Sequence, residues 1–156
     1  MQWADQRVLV TGSGGFLGAP LARRLKDRGA VVVGLDVAPS SPCWRVWGHD
    51  EPMVVGDVLD FASLSTAVET ARPTVVYHLS GFSHIQPAQK NPLLAWDLNV
   101  RGTWNVMEAC RRYRDGGGHL KAVVLASSNH ATGSRRLPWK ESDCPRPSDI
   151  YGGSKL

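Results

Sequence analysis

The sequence has no apolar run approaching the ~20 residues a membrane-spanning helix needs, so no helical span is expected. Its first residues, Met1-Gln2-Trp3-Ala4-Asp5, lack the basic start and apolar stretch of a secretory signal, and the expected location is the cytoplasm. Cysteine is scarce: Cys43, Cys110 and Cys144 are odd in number, far apart and without a Cys-x-x-Cys pair. That pattern argues against a disulfide framework and a structural zinc site, and leaves reduced thiols as the simplest reading. No His/Cys/Asp cluster has metal-ligand spacing, so no metal is expected. A Gly-x-Ser-x-Gly elbow is absent too, which removes support for a hydrolase. The formal charge of +4 is not concentrated in a basic block interleaved with aromatics; arginines such as Arg23, Arg24 and Arg28 are spread among helices, and nucleic acid is not an expected partner. Internal repeats, low-complexity segments and linkers are likewise missing. A chain of 156 residues has material for one domain with a real core, burying roughly two-thirds of its unfolded surface.

What is present is an alternation of strand-like and helix-like segments from the N-terminus onward, the pattern of a parallel sheet covered by helices. Residues 7–11 (RVLVT) read as a strand. A glycine-rich turn follows, then a helix with Leu17, Leu21 and Leu25 at helical spacing, Pro20 in its first turn and Gly29 as its stop. Strands are expected at 31–36 (VVVGLD) and 53–57 (MVVGD), separated by a Pro/Trp-rich excursion over 39–52. A helix over 60–71 leads to a strand over 74–81 (TVVYHLSG). A long helix over 91–114, with Gly102 inside it, leads to a fifth strand over 121–128 (KAVVLASS). The rest reads as loop up to Tyr151. The strands do not alternate in polarity, so both faces of each are expected to be buried, as in parallel sheets. The fold class is α/β, a Rossmann-type doubly wound parallel sheet.

The turn VLVTGSGGFLG places Gly12, Gly15 and Gly18 three apart between a strand and a helix. Glycines there allow a tight turn, close approach of a pyrophosphate to the backbone and close helix–strand packing, while the helix N-terminus offers unpaired N–H groups. The spacing is G-x-x-G-x-x-G; a G-x-G-x-x-G reading fails because its third glycine would fall on Leu17. Asp36 ends the second strand near the ~20-residue offset at which a carboxylate accepts from the adenosine ribose hydroxyls. It would repel a 2′-phosphate, and no arginine follows before Arg45, so NAD is favoured over NADP. Asp57-Val58, after the third strand, is a second adenine-side candidate. His78, within a strand, reads as a hydrogen-bonded core histidine. Trp96 and Trp104 fit packing on a helix face, and Trp44 and Trp47 a surface loop.

On TGSGGFLG, GDV (56–58), YHLSG (77–81), NPLLAWDLNVRGTWNVMEAC (91–110), LASSNHATG (125–133) and YGGSK (151–155), the sequence resembles the extended branch of the short-chain dehydrogenase/reductase superfamily, the NAD-dependent epimerase/dehydratase family. The resemblance covers essentially the whole chain, and the order and spacing of the motifs make it specific. It implies that Gly12, Gly15, Phe16, Leu17, Gly18, Asp36, Asp57, Val58, Leu79, Ser80, Gly81, Tyr151 and Lys155 contact NAD. It also implies catalytic roles for Ser128, Tyr151 and Lys155, and a structural one for Asn99. Locally, SSNH with its downstream Pro-x-Pro and Tyr-Gly-x-Ser-Lys is similar to uronate dehydrogenases, in which Asn129 and His130 would hold a sugar acid. GFSHIQPAQKNP is more similar to nucleotide-sugar dehydratases and epimerases, which carry the Ser83-His84 pair. Thr132 stands where the family commonly has Tyr, a departure that favours the first likeness. The implied substrate is therefore a sugar, sugar acid or nucleotide sugar.

The chemistry asks for these residue types. A free tyrosine, with a pKa of about 10, is a poor base at neutral pH. A nearby ammonium favours the phenolate, and residues four apart on one helix can share a face. Only Leu156 follows Lys155 in the sequence, whereas the family fold continues with further strands, a helix that often forms the dimer interface and a substrate-gripping lobe. The expectation is accordingly the N-terminal cofactor-binding portion of a longer enzyme, with its fifth strand an uncovered edge. The alternative is a catalytically inactive NAD-binding or interaction module.

Overall fold

A computed structural model describes residues 3–38, 42–47, 52–133 and 138–156. Five strands form one sheet: β1 (Arg7–Thr11), β2 (Val31–Asp36), β3 (Met53–Val55), β4 (Val75–His78) and β5 (Ala122–Leu125). All are parallel, in the order β3-β2-β1-β4-β5. The direction of winding reverses at β1, so β1 and β4 are neighbours whose C-terminal ends, Thr11 and His78, lie side by side. A crevice opens at such a point, outside the carboxyl ends of the strands, and this is where doubly wound sheets hold ligands.

The period-2 alternation of a strand divides the core between the two faces. Val8 and Val10 face a layer containing Ala22, Leu25, Val32 and Val75. Leu9 faces the other, with Leu35, Leu64, Val68, Val76 and Val106. Helix α1 (Gly18–Asp27) supplies the first layer through Gly18, Ala19, Ala22 and Leu25. The expected leucine stripe is shifted: Leu17 is 62% exposed, because it lies one residue before the first helical turn and points away from the sheet side. The helix ends as a Schellman motif, Gly29 at φ 86° with its N–H on the Lys26 carbonyl and the Ala30 N–H on that of Leu25.

Helices α3 (Phe61–Ala71) and α6 (Gly102–Asp115) cover the second face. Asp60 caps α3 by accepting from the N–H groups of Ala62 and Ser63. The long helix expected over 91–114 is composite. It runs as α5 (Pro92–Trp96), a π-helical turn over Asp97–Arg101, and α6, with the Gly102 N–H reaching back five residues to the Asp97 carbonyl. Gly102 itself lies against Val58, too close to the Val58 methyl for a larger residue to fit unshifted. Two short helices escape periodicity altogether, α2 (Pro42–Trp47) inside the Pro/Trp-rich excursion and α4 (Ile85–Lys90). Each has six residues, too few to display a helical repeat. The remainder of that excursion, 39–41 and 48–51, lies outside the described residues.

Burial on both faces holds for β1 and the middle of the sheet but not at its edges. In β5, Val124 and Leu125 are 43% and 42% exposed: they point to opposite faces of the strand, and Leu125 lines an open groove beside α6. Trp96 and Trp104 likewise do not pack: both are exposed, lining the open groove beside β5. Trp44 and Trp47 stand on α2, which buries nothing. Cys43, Cys110 and Cys144 form no disulfide, and burial pushes the Cys110 thiol up to about 11. Among the described residues no helix is long and apolar enough to cross a membrane, and no group of His, Cys, Asp and Glu is disposed to hold a metal.

Candidate active site

The glycine turn bridges β1 and α1. Gly12 takes φ 71°, and a Cβ there would come within 2.7 Å of the Ser80 backbone nitrogen. Gly18 has no room for a side chain against the Gly12 carbonyl. The turn is thus folded onto itself and onto the Leu79–Ser80 backbone, with the Leu79 N–H donating to the Thr11 carbonyl. Helix α1 begins without a side-chain cap and without an acid in its first turn, so its N-terminal dipole end faces outward uncompensated. Phe16 is 83% exposed.

Asp36, at the end of β2, accepts from the Gly14 N–H at 2.8 Å and from the Val37 N–H at 2.8 Å. The carboxylate therefore stands beside the glycine turn. Asp57 turns the chain by accepting from the Leu59 N–H. Val58 is buried in the core, and its carbonyl accepts from Asn105.

Ser128 lies just beyond β5 and starts a single 3₁₀ turn, Asn129–Ala131. Its hydroxyl accepts from the His130 N–H and donates to Asn129 Oδ1. Tyr151 belongs to α7 (Ile150–Ser154), capped by Asp149 through the Gly152 N–H at 2.7 Å. The Tyr151 ring is buried beside Ala88 and Ala95, with Phe82, Ile85 and Ile150 around them. Ser128, Asn129, His130 and Tyr151 line one cavity of about 500 Å³ together with Ser83 and His84. Residues far apart in sequence and assigned on separate motifs are therefore neighbours.

Lys155 does not line this cavity. It is the residue after α7, and its ammonium donates to the Ala126 carbonyl at 3.2 Å. Gly81, at φ 151°, passes over it: a Cβ there would sit 3.1 Å from Lys155 Nζ. Burial pushes the Lys155 ammonium below its ordinary value. Asn99 has the structural role expected of it. The π-helical turn aims it inward, where it accepts from the Phe82 N–H and donates to the Phe82 carbonyl and Ser154. Ser127 is exposed and fastens the chain end by donating to the Lys155 carbonyl at 2.6 Å.

Two features escaped the sequence reading. Asp149 reaches His130, with its Oδ2 3.3 Å from Nδ1; its signal was an acid immediately before a short helix, the N-cap position. The second is a chain of hydroxyls around the buried His78. Thr103 donates to the Asn99 carbonyl, so His78 Nε2–H must donate to Thr103, and Nδ1 accepts from Thr11. Burial, and then the Lys155 charge, lower the His78 imidazole to about 4. It is a neutral core histidine, as its place in a strand suggests.

A reversing parallel sheet, a glycine turn at the start of its first helix and a Ser/Tyr cavity at its carboxyl edge define a Rossmann-type α/β protein. More narrowly, the chain belongs to the NAD dependent epimerase/dehydratase family, whose model matches residues 8–156. It is 29% identical to CDP-glucose 4,6-dehydratase of Salmonella typhimurium over 98% of this chain and 43% of that protein. Identity to the uronate dehydrogenase of Pseudomonas putida is 32%, over 96% of this chain and 51% of that protein. Among solved structures, the UDP-glucose 4-epimerase from Brucella ovis in complex with NAD superposes with a TM-score of 0.83 at 29% identity, over 95% of this chain and 44% of that one. The chain spans about half the length of the curated relatives it matches.

Proposed function

We propose that this chain is the cofactor-binding portion of an NAD-dependent enzyme that transfers hydride at a secondary alcohol of a sugar, sugar acid or nucleotide sugar. The observation that carries the reading is the shared cavity of Ser128 and Tyr151 at the carboxyl edge of the sheet. A dinucleotide fits the residues present. The turn at Gly12, Gly15 and Gly18 presents backbone without side chains, and α1 begins without a cap or an acid. Gly12, Gly15, Phe16, Leu17 and Gly18 would hold the pyrophosphate, Asp36 the adenosine ribose, Asp57 and Val58 the adenine side, and Leu79, Ser80, Gly81, Tyr151 and Lys155 the nicotinamide half. When bound, NAD supplies the hydride acceptor.

In this reading the Ser128 hydroxyl orients the reacting oxygen, and Tyr151 takes the hydroxyl proton. Lys155 supplies the positive charge that favours the phenolate. Ser83, His84, Asn129 and His130 contribute the polar groups that orient a sugar. Likeness to uronate dehydrogenase and the Asn129-His130 pair favour a sugar acid. Three cysteines that form no disulfide agree with a cytoplasmic location. The greater length of the relatives supports a further substrate-gripping lobe and dimer helix in the whole enzyme.

Titration calorimetry with NAD, followed by a panel of hexuronic acids and nucleotide sugars, tests the reading. In the complete enzyme, Tyr151→Phe is expected to abolish turnover with NAD affinity nearly unchanged; wild-type turnover by this variant would sink the assignment. A second reading, an NAD-binding module without turnover, is favoured by Lys155 lying outside the Ser128–Tyr151 cavity. It predicts an NAD isotherm and no reduction of NAD with any sugar.

A further inference from the structure

The reactive tyrosine has a neighbour whose orientation needs an explanation. The His130 ring meets the Tyr151 ring edge-on, with centroids 5.8 Å apart and planes at 63°. His130 also lines the cavity that Ser128 and Tyr151 share. An exposed histidine on a single 3₁₀ turn would ordinarily sample several rotamers. Two contacts limit this one. The His130 backbone carbonyl is pressed against Gly152, where a Cβ would collide with it. On the ring, Nδ1 lies 3.3 Å from Asp149 Oδ2.

Asp149 is itself held. Its other oxygen accepts from the Gly152 N–H at 2.7 Å, and its side chain is only 13% exposed, against 38% for His130. One carboxylate thus does two things: it caps the helix that carries Tyr151 and grips the imidazole beside Tyr151. A carboxylate accepts and never donates, so the proton on Nδ1 is fixed. In the neutral ring Nε2 is then left as an acceptor. His130 has no other hydrogen-bond partner for Nε2 among the described residues.

We propose that Asp149 is a positioning residue of this site, fixing His130 as the Nδ1–H tautomer against the Tyr151 ring so that Nε2 is presented as an acceptor to a sugar hydroxyl in the cavity. A serine would cap the helix equally well but is too short to reach the ring. The choice of aspartate therefore couples the tyrosine helix to the histidine turn. The role for the sugar rests on the function proposed above; the state of the ring does not.

The test separates the two. Long-range ¹H–¹⁵N spectra of the 156-residue chain at neutral pH, with no sugar or cofactor, read the tautomer of His130 directly. The wild type should show Nδ1 protonated, Asp149→Asn should keep that form through its amide oxygen, and Asp149→Ser, which retains the cap, should revert to the Nε2–H form usual for free imidazole. An Nε2–H ring in the wild type, or an unchanged ring in Asp149→Ser, overturns the proposal, and the wild-type spectrum decides even if the serine variant does not fold. Given turnover of a sugar acid, Asp149→Ser should raise KM about tenfold with a smaller effect on kcat, and the double variant with His130→Ala should be no worse than His130→Ala alone. Additive losses would also overturn it. Failure of every variant and of the wild type to reduce NAD would instead defeat the proposed function, with the spectra still decisive for the pair.

Discussion

At the scale of single residues, the least replaceable positions are those where backbone meets backbone. Gly12 combines φ 71° with a 2.7 Å approach to the Ser80 nitrogen. Gly12→Ala should cost about 1–2 kcal/mol for the left-handed backbone alone, with the steric contact adding to it, read as a lower denaturant midpoint. His78 makes a different prediction. Its folded value of about 4 lies below the ordinary 6.5, so between those values the unfolded chain binds more protons than the folded one. The sign is therefore that stability rises with pH through this window, is fully present above about pH 6.5 and is lost as pH falls toward 4. The full span is on the order of 3 kcal/mol. Urea midpoints measured from pH 4 to pH 7 check it: His78→Asn should flatten the slope, and a wild-type slope retained by this variant would place the titration elsewhere.

Elements succeed or fail here by their ends. Helix α3 is stopped at one end by Asp60 and at the other by Arg72, at φ 46°, followed by Pro73. Asp60→Ala should lower stability by about 1 kcal/mol, measurable by thermal or denaturant unfolding. Glycine substitution, which leaves the orphan N–H groups open to water, should cost less. The composite helix over α5 and α6 carries a more instructive lesson. Its apolar positions and interior Gly102 are readable in sequence, but the extra residue of the π-helical turn is not. That turn exists because Gly102 must approach Val58 and Asn99 must face Phe82 and Ser154. Those partners are distant in the chain, so no local pattern announces the bulge.

For the whole molecule, the sheet is finished in its middle and bare at β5. The face between α6 and β5 is a groove of about 980 Å³ whose lining includes Trp104, Met107, Val123 and Leu125, with Trp104 74% exposed. Exposed apolar surface of this kind binds hydrophobic dyes. Anilinonaphthalene sulfonate should therefore fluoresce with the native chain while near-ultraviolet circular dichroism is intact. The paired change Trp104→Lys and Leu125→Lys should lower the signal severalfold; undiminished fluorescence would locate the dye elsewhere. Much of the rest was legible in advance. The parallel α/β class, the strand cores and the glycine turn follow from β-branched runs and glycine spacing, all written locally in the chain. Leu17, Trp96 and Trp104 were misjudged because helical spacing shows which residues share a stripe, not whether anything lies opposite it. The joining of Ser83, His84, Asn129 and His130 around Tyr151, the departure of Lys155 to the Ala126 carbonyl and the reach of Asp149 to His130 were decided by tertiary structure alone. The sequence by itself determined which groups are available and on which elements they ride. Only the packing of those elements could decide which groups meet, because a hydrogen bond of about 3 Å depends on where two distant segments come to rest.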